Sequence, residues 1–209
     1  MENLNRKDFN KWLEYKLPKL EKIEPLWSEY TMEEMIPFIV NALKNIYKLS
    51  MKVNIVNNSE NPLPKYADAG SSGADVYADI VNINNKFLFD GAKKLNTTDL
   101  FMPPGSRALI PSGLHVAIPE GYEIQVRDRS GLALKHGVIV TNGIGTIDES
   151  YRGDIGIILT NTGSEPIVFK QGDRIAQLVL MKVEKIEWNL VESLDETERG
   201  EGGYGHSGI

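Results

Sequence analysis

Asp148 lies in the stretch Thr141-Asn142-Gly143-Ile144-Gly145-Thr146-Ile147-Asp148-Glu149-Ser150-Tyr151-Arg152-Gly153-Asp154, six residues after a carboxamide and three before a phenol. A carboxylate on a glycine-shaped turn can activate a water. Asn142 offers both a donor and an acceptor to a polar ring edge. Tyr151 supplies a flat wall for a sugar or a base. The grouping points to a nucleotide pocket. An ordinary hairpin also uses Gly for positive φ and Asp to close its turn, so other segments must decide between the two.

Four further segments do so. Ser72-Gly73-Ala74-Asp75-Val76 and Arg129-Ser130-Gly131-Leu132-Ala133 precede the Asp148 segment; Gly172-Asp173-Arg174-Ile175-Ala176-Gln177-Leu178 and the tail Arg199-Gly200-Glu201-Gly202-Gly203-Tyr204-Gly205-His206-Ser207-Gly208 follow it. A guanidinium such as Arg129 binds phosphate oxygens with paired N–H groups. The Ser130 hydroxyl and the backbone N–H groups around Gly131 can bond a bridging or terminal oxygen.

Taken in order, the five segments resemble the five-motif signature of the trimeric deoxyuridine triphosphatases, the dUTPases, over about residues 52–209. The resemblance implies a mainly β fold, a dUTPase-like β-barrel or jelly-roll (β-clip) domain. It implies hydrolysis of dUTP to dUMP and pyrophosphate by Asp148-activated water attacking the α-phosphorus. Mg²⁺ would arrive on the triphosphate, since no dense acidic cage is evident in the sequence, and Asp75 would contact waters bound to it. Gln177 would help hold the phosphate chain. Asn142 and backbone near Gly145 would read uracil, and Tyr151 under the sugar would exclude a 2′-hydroxyl. The tail would close over the nucleotide, with Arg199 on the γ-phosphate and Tyr204 stacked on the base. The resemblance also implies a homotrimer with shared sites. The family's usual aromatic is Phe where Tyr204 stands, and its usual small hydroxyl is replaced by His206.

Two other readings remain open from the residues. A related-fold dCTP deaminase would need a Glu-centred site, against which the Ile147-Asp148-Xaa-Xaa-Tyr151 pattern argues. A partner-binding role could reside in residues 1–50 or 82–101, alongside or instead of chemistry.

The elements that must carry these groups follow from periodicity. In residues 1–50, Phe9, Trp12, Leu13, Leu17 and Leu20 share one helical face, interrupted by Pro18, and Ile36, Ile39, Leu43, Ile46 and Tyr47 form a second stripe behind the capping-box pattern Thr31-Met32-Glu33-Glu34. This predicts a small helical extension that packs on itself or on the enzyme, or docks a partner. From Met51 short strands are expected at 53–56, 107–110, 114–118, 122–127, 138–141, 156–161, 167–169 and 174–185, separated by turn clusters such as Pro111-Ser112-Gly113 and Asn161-Thr162-Gly163. Residues 51–194 thus read as one β domain, 82–101 as an insertion in it, and 195–209 as a mobile arm, too glycine-rich to bury itself.

With 41% hydrophobic residues, a chain of 209 can bury a full core. Its net charge of −6 argues against a general nucleic-acid binder. Cysteine is absent, which excludes disulfides and thiol chemistry and suits a reducing cytoplasm. No apolar run approaches the roughly 18 residues of a membrane span.

Overall fold

The computed structural model describes residues 51–203, together with Ile36 and Pro37, which are helical. The remaining stripe and capping-box residues of the N-terminal segment, and Tyr204 and His206 of the tail, lie outside the described residues. The chain divides into two units, Met1–Lys52 and Val53–Ile209, and the strands below all belong to the second.

In chain order the strands are β1 (Asn54–Asn57), β2 (Lys65–Tyr66), β3 (Ala74–Tyr77), β4 (Leu88–Phe89), β5 (Lys93–Lys94), β6 (Asp99–Met102), β7 (Arg107–Pro111), β8 (Leu114–Ala117), β9 (Tyr122–Arg127), β10 (Val138–Val140), β11 (Gly145–Ile147), β12 (Gly156–Asn161), β13 (Ile167–Lys170) and β14 (Arg174–Lys182), with a 3₁₀ turn at Asn85–Phe87 and a helix α1 at Ser130–His136. They form sheets ordered β11-β9-β14-β3-β2, β10-β12-β7-β4, β13-β6-β5 and β1-β8. Every pairing between described strands is antiparallel. The mainly β expectation holds, and each expected strand is present to within a few residues.

Period-2 patterning explains the packing. Along β12, Ile157, Leu159 and Asn161 point inward while their neighbours are part-exposed. Ile80, Leu100, Met102, Ile110, Ile157, Leu159 and Ile175 are fully buried in one cluster that joins the sheets. β14 departs from alternation because its pairing with β3 shifts register between Arg174 and Ala176, so Ile175 and Ala176 are both buried.

Three features were not legible as periodicity. Helix α1 interrupts the strands directly after β9; Gly137 ends it at φ 66°, where a Cβ would lie 2.6 Å from the amide nitrogen of Gly163. The segment 138–151 is not a two-stranded hairpin, because β10 pairs with β12 and β11 pairs with β9 in a different sheet. Residues 82–101 are built into the domain: β4 pairs with β7, β5 pairs with β6, and between them Asp90 and Gly91 both take positive φ in a tight turn.

Asn161 ties two sheets together. Its fully buried amide donates to the carbonyls of Met102 and Glu165, both at 2.9 Å, and its Oδ1 accepts from Gly163 N–H at 3.0 Å. Asn161→Ala strands those groups away from water. It is expected to cost roughly 1–3 kcal/mol of stability, read from urea unfolding.

Candidate active site

Asp75 stands on β3 opposite Gln177 of β14. The carboxylate is nearly buried, and a buried charge requires partners. It has two guanidinia: Arg129 Nε donates to Oδ1 at 3.0 Å and Arg174 Nη1 to Oδ2 at 3.0 Å. Gln177 Nε2 lies 3.5 Å from Oδ1, and Arg129 Nη1 donates to the carbonyl of Arg174 at 3.1 Å. Gly73 permits this closeness, since a Cβ there would lie 2.9 Å from Gln177 Oε1. Two cations around one anion leave net positive charge, suited to phosphate oxygens.

Arg129 is the N-cap residue of α1 but makes no side-chain cap bond, because a guanidinium has no acceptor to offer the helix N–H groups; it donates to Asp75 instead. Ser130 and Gly131 follow, exposed in the first helical turn, where backbone N–H groups lack intrahelical partners. The structure therefore brings Asp75, Arg129, Ser130, Gly131 and Gln177 to one place and adds Arg174. Arg174 lies within a motif already singled out, yet its partner could be found only once β3 and β14 were paired. The bulge at that point of β14 re-aims its side chain.

A second group forms around Asp148. Asn142 is exposed in the turn between β10 and β11, where Gly143 adopts φ 73°. Gly145 is buried, and a Cβ there would press on Val126 at 3.1 Å and on Asn142 Nδ2 at 3.3 Å. Asp148 follows β11 with an exposed side chain, and its carbonyl accepts from Tyr151 N–H at 3.1 Å. Tyr151 donates its hydroxyl to the Asp154 carbonyl at 2.9 Å, with its ring over Gly153, where a Cβ would overlap the phenol. The Asp154 carboxyl accepts from the Ser112 and Gly113 N–H groups. Burial raises its pKa above the usual value, against the lowering effects of those N–H groups and of His115; nearby Asp79 raises it further.

Within one chain the two groups are apart. Ile147, just before Asp148, pairs with Ile124, three residues along β9 from Arg127, which pairs with Gln177. Asp148 and Gln177 are thus separated by about 13 Å along β9 and about 10 Å across two strand spacings. Arg199 belongs to neither group: it is exposed in the arm, and its Nε donates to the Gly202 carbonyl at 2.8 Å.

Among the described residues no cluster of three or more His, Cys, Asp or Glu is placed to hold a metal ion. The donor set fits a cation carried on a triphosphate, with Asp75 as the carboxylate at the cationic cluster. No helix among the described residues is long and apolar enough to cross a membrane.

A family model described as dUTPase matches residues 95–208. The chain is 48% identical over 158 residues to a deoxyuridine 5′-triphosphate nucleotidohydrolase of Finegoldia magna, covering 76% of this chain and 99% of the relative. It is 44% identical over 169 residues to the protein of the same name from Ehrlichia canis, covering 80% of this chain and all of the relative. Among solved structures, the dUTPase of Staphylococcus bacteriophage 80alpha, a G164S mutant with dUpNHpp, superposes with a TM-score of 0.62 at 22% identity, over 77% of this chain and 100% of that one. That likeness supports the fold, and the two bacterial relatives carry the assignment further: this chain belongs to the dUTPase family.

Proposed function

We propose that the chain hydrolyses dUTP to dUMP and pyrophosphate. The observation that carries this reading is the match to a nucleotidohydrolase of that substrate across nearly its whole length. The geometry supports it residue by residue. Arg129 is fixed by Asp75 with part of its guanidinium and can turn the rest to phosphate, alongside the Ser130 hydroxyl, the Gly131 N–H and Gln177. Mg²⁺ on the triphosphate would draw off phosphate charge, with Asp75 the carboxylate in reach of its water shell. Asp148 is exposed and free to hold a water in line and take its proton. Asn142 and the backbone at Gly145 would read uracil. The Tyr151 ring would lie under the sugar. Arg199 and Tyr204 would close the arm over the nucleotide.

A general base must reach its proton directly or through one water. The separation along β9 prevents Asp148 from serving a phosphate chain held at Arg129 and Gln177 of the same subunit. That favours a homotrimer in which each site takes its Asp148 group and its Arg129 group from different copies. In this reading residues 51–194 carry the chemistry, 195–209 are the closing arm, 82–101 are an insertion, and 1–50 are an extension dispensable for turnover that is available to a protein partner. A cytoplasmic setting belongs to the same reading.

Asp148→Asn keeps the shape but cannot accept the proton. Turnover should fall by three orders of magnitude or more, about 4 kcal/mol of barrier, while dUTP binding by calorimetry stays near wild type. Near-normal turnover would remove Asp148 from the role of base.

Mixing Asp148→Asn with Arg129→Ala subunits tests the shared site. Random trimers made by unfolding and refolding the two inactive variants together should regain about a quarter of wild-type activity, since half the Asp148 groups and half the Arg129 groups are intact. Mixtures as inactive as their parents would mean that each site lies within one subunit.

Removing residues 199–209 should cost turnover rather than folding. The loss of the Arg199 contact alone is expected to weaken transition-state binding by roughly 1.5–3 kcal/mol, with little change in Tm. Full-rate hydrolysis by the shortened chain would mean that the arm is no lid.

A further inference from the structure

Between Asp148 and β12 the chain is tied down on every side. Glu149 Oε2 accepts from Gly121 N–H at 2.7 Å. Arg152 Nη1 returns to the carbonyls of Glu149 at 2.6 Å and Tyr151 at 2.8 Å, while the Arg152 carbonyl meets His115 Nδ1 at 3.0 Å. Ile155 N–H donates to the Leu114 carbonyl at 2.8 Å. Asp154 is the residue through which these ties reach the phenol. Its carboxylate accepts from Ser112 N–H at 3.1 Å and from Gly113 N–H at 3.0 Å, and its own carbonyl accepts the Tyr151 hydroxyl at 2.9 Å.

The mooring is rigid. Gly113 takes φ 72° in the turn between β7 and β8, and a Cβ there would stand 2.7 Å from Ser59 Cβ. The turn packs closely on Ser59, and the Gly113 carbonyl accepts from Asn58 N–H at 2.7 Å. On the other face, Gly153 has no side chain, so the phenol lies directly on its backbone. The held hydroxyl and the face on Gly153 oppose a swing of the ring about its two torsions.

We propose that Asp154 is a positioning residue that sets the sugar specificity of the site by fixing the Tyr151 ring. This rests on the reading of Tyr151 as the wall beneath the sugar. A fixed ring rejects a 2′-hydroxyl by steric overlap, whereas a ring free to retreat by a few tenths of an ångström admits it. Burial raises the Asp154 pKa despite the N–H groups that favour the charge. A raised carboxyl pKa means that the ionised form costs folding stability above the unfolded pKa, a cost relieved as pH falls through the folded value.

The test is the ratio of kcat/KM for dUTP to that for UTP, measured on the full-length trimer for wild type, Asp154→Ala and Tyr151→Phe. Ala removes both carboxylate oxygens, which accept from the Ser112 and Gly113 N–H groups, and so breaks the mooring. Phe keeps the ring and the carboxylate but removes the hydroxyl link. Both variants should lower the ratio about tenfold or more, mainly by improving UTP as a substrate. A purely structural role would instead lower both substrates together and leave the ratio alone. A ratio within about twofold of wild type in either folded variant overturns the proposal. Should Asp154→Ala fail to fold, Tyr151→Phe decides alone. A wild-type protein inactive on dUTP would instead bring down the underlying reading, an outcome distinct from an active enzyme with an unchanged ratio.

Discussion

Strand β9 is the constraint around which the rest is arranged. It pairs with β11 along one edge, through Ile124 to Val126, and with β14 along the other over its whole length. Because side chains alternate with a period of two, a slip of one residue on either edge would turn a core residue outward and a site residue inward. Val126 and Ile124 are buried in the core, which forbids the slip. The same register holds the Asp148 group and the Asp75 group at a set distance. In the proposed trimer a second copy would close that distance.

Around Asp75 the energetics are those of a partly buried ion cluster. Removing either arginine would leave a nearly buried carboxylate short of a partner, which is more damaging than never having built the pair. The cluster is incompletely neutralised, with Arg174 about half exposed at 53% of its side chain. A positively charged ledge beside exposed backbone N–H groups is preorganised for an anion and pays little to reorganise when one arrives.

Family membership and the surface elsewhere meet in residues 82–101. Their strands extend two of the sheets, and Arg107 covers Phe89 at 4.9 Å from the ring centroid while Lys86 covers Phe87 at 4.8 Å. Phe87 and Phe89 stay exposed, but each ring carries a cation over its face. This lowers their liability as a sticky edge.

Much was legible in the residues alone. The strands β7 to β10 and β12 to β14 announce themselves by alternation between turn clusters, because burial on one face demands period two. The five motifs declare a nucleotide site, because phosphate, water and a polar ring edge each need a particular kind of group. Tertiary structure decided what pairs with what. The role of Gly73 is invisible until Gln177 is laid against it, and Arg174 gains a partner only when β3 and β14 are joined. Helix α1 was hidden because its seven residues are too few to show a periodic face. Asp154 reads as a turn acid until the turn at Ser112 and Gly113 folds onto it from 41 residues away. Local patterning sets which face of a strand is buried; long-range pairing sets which charges meet.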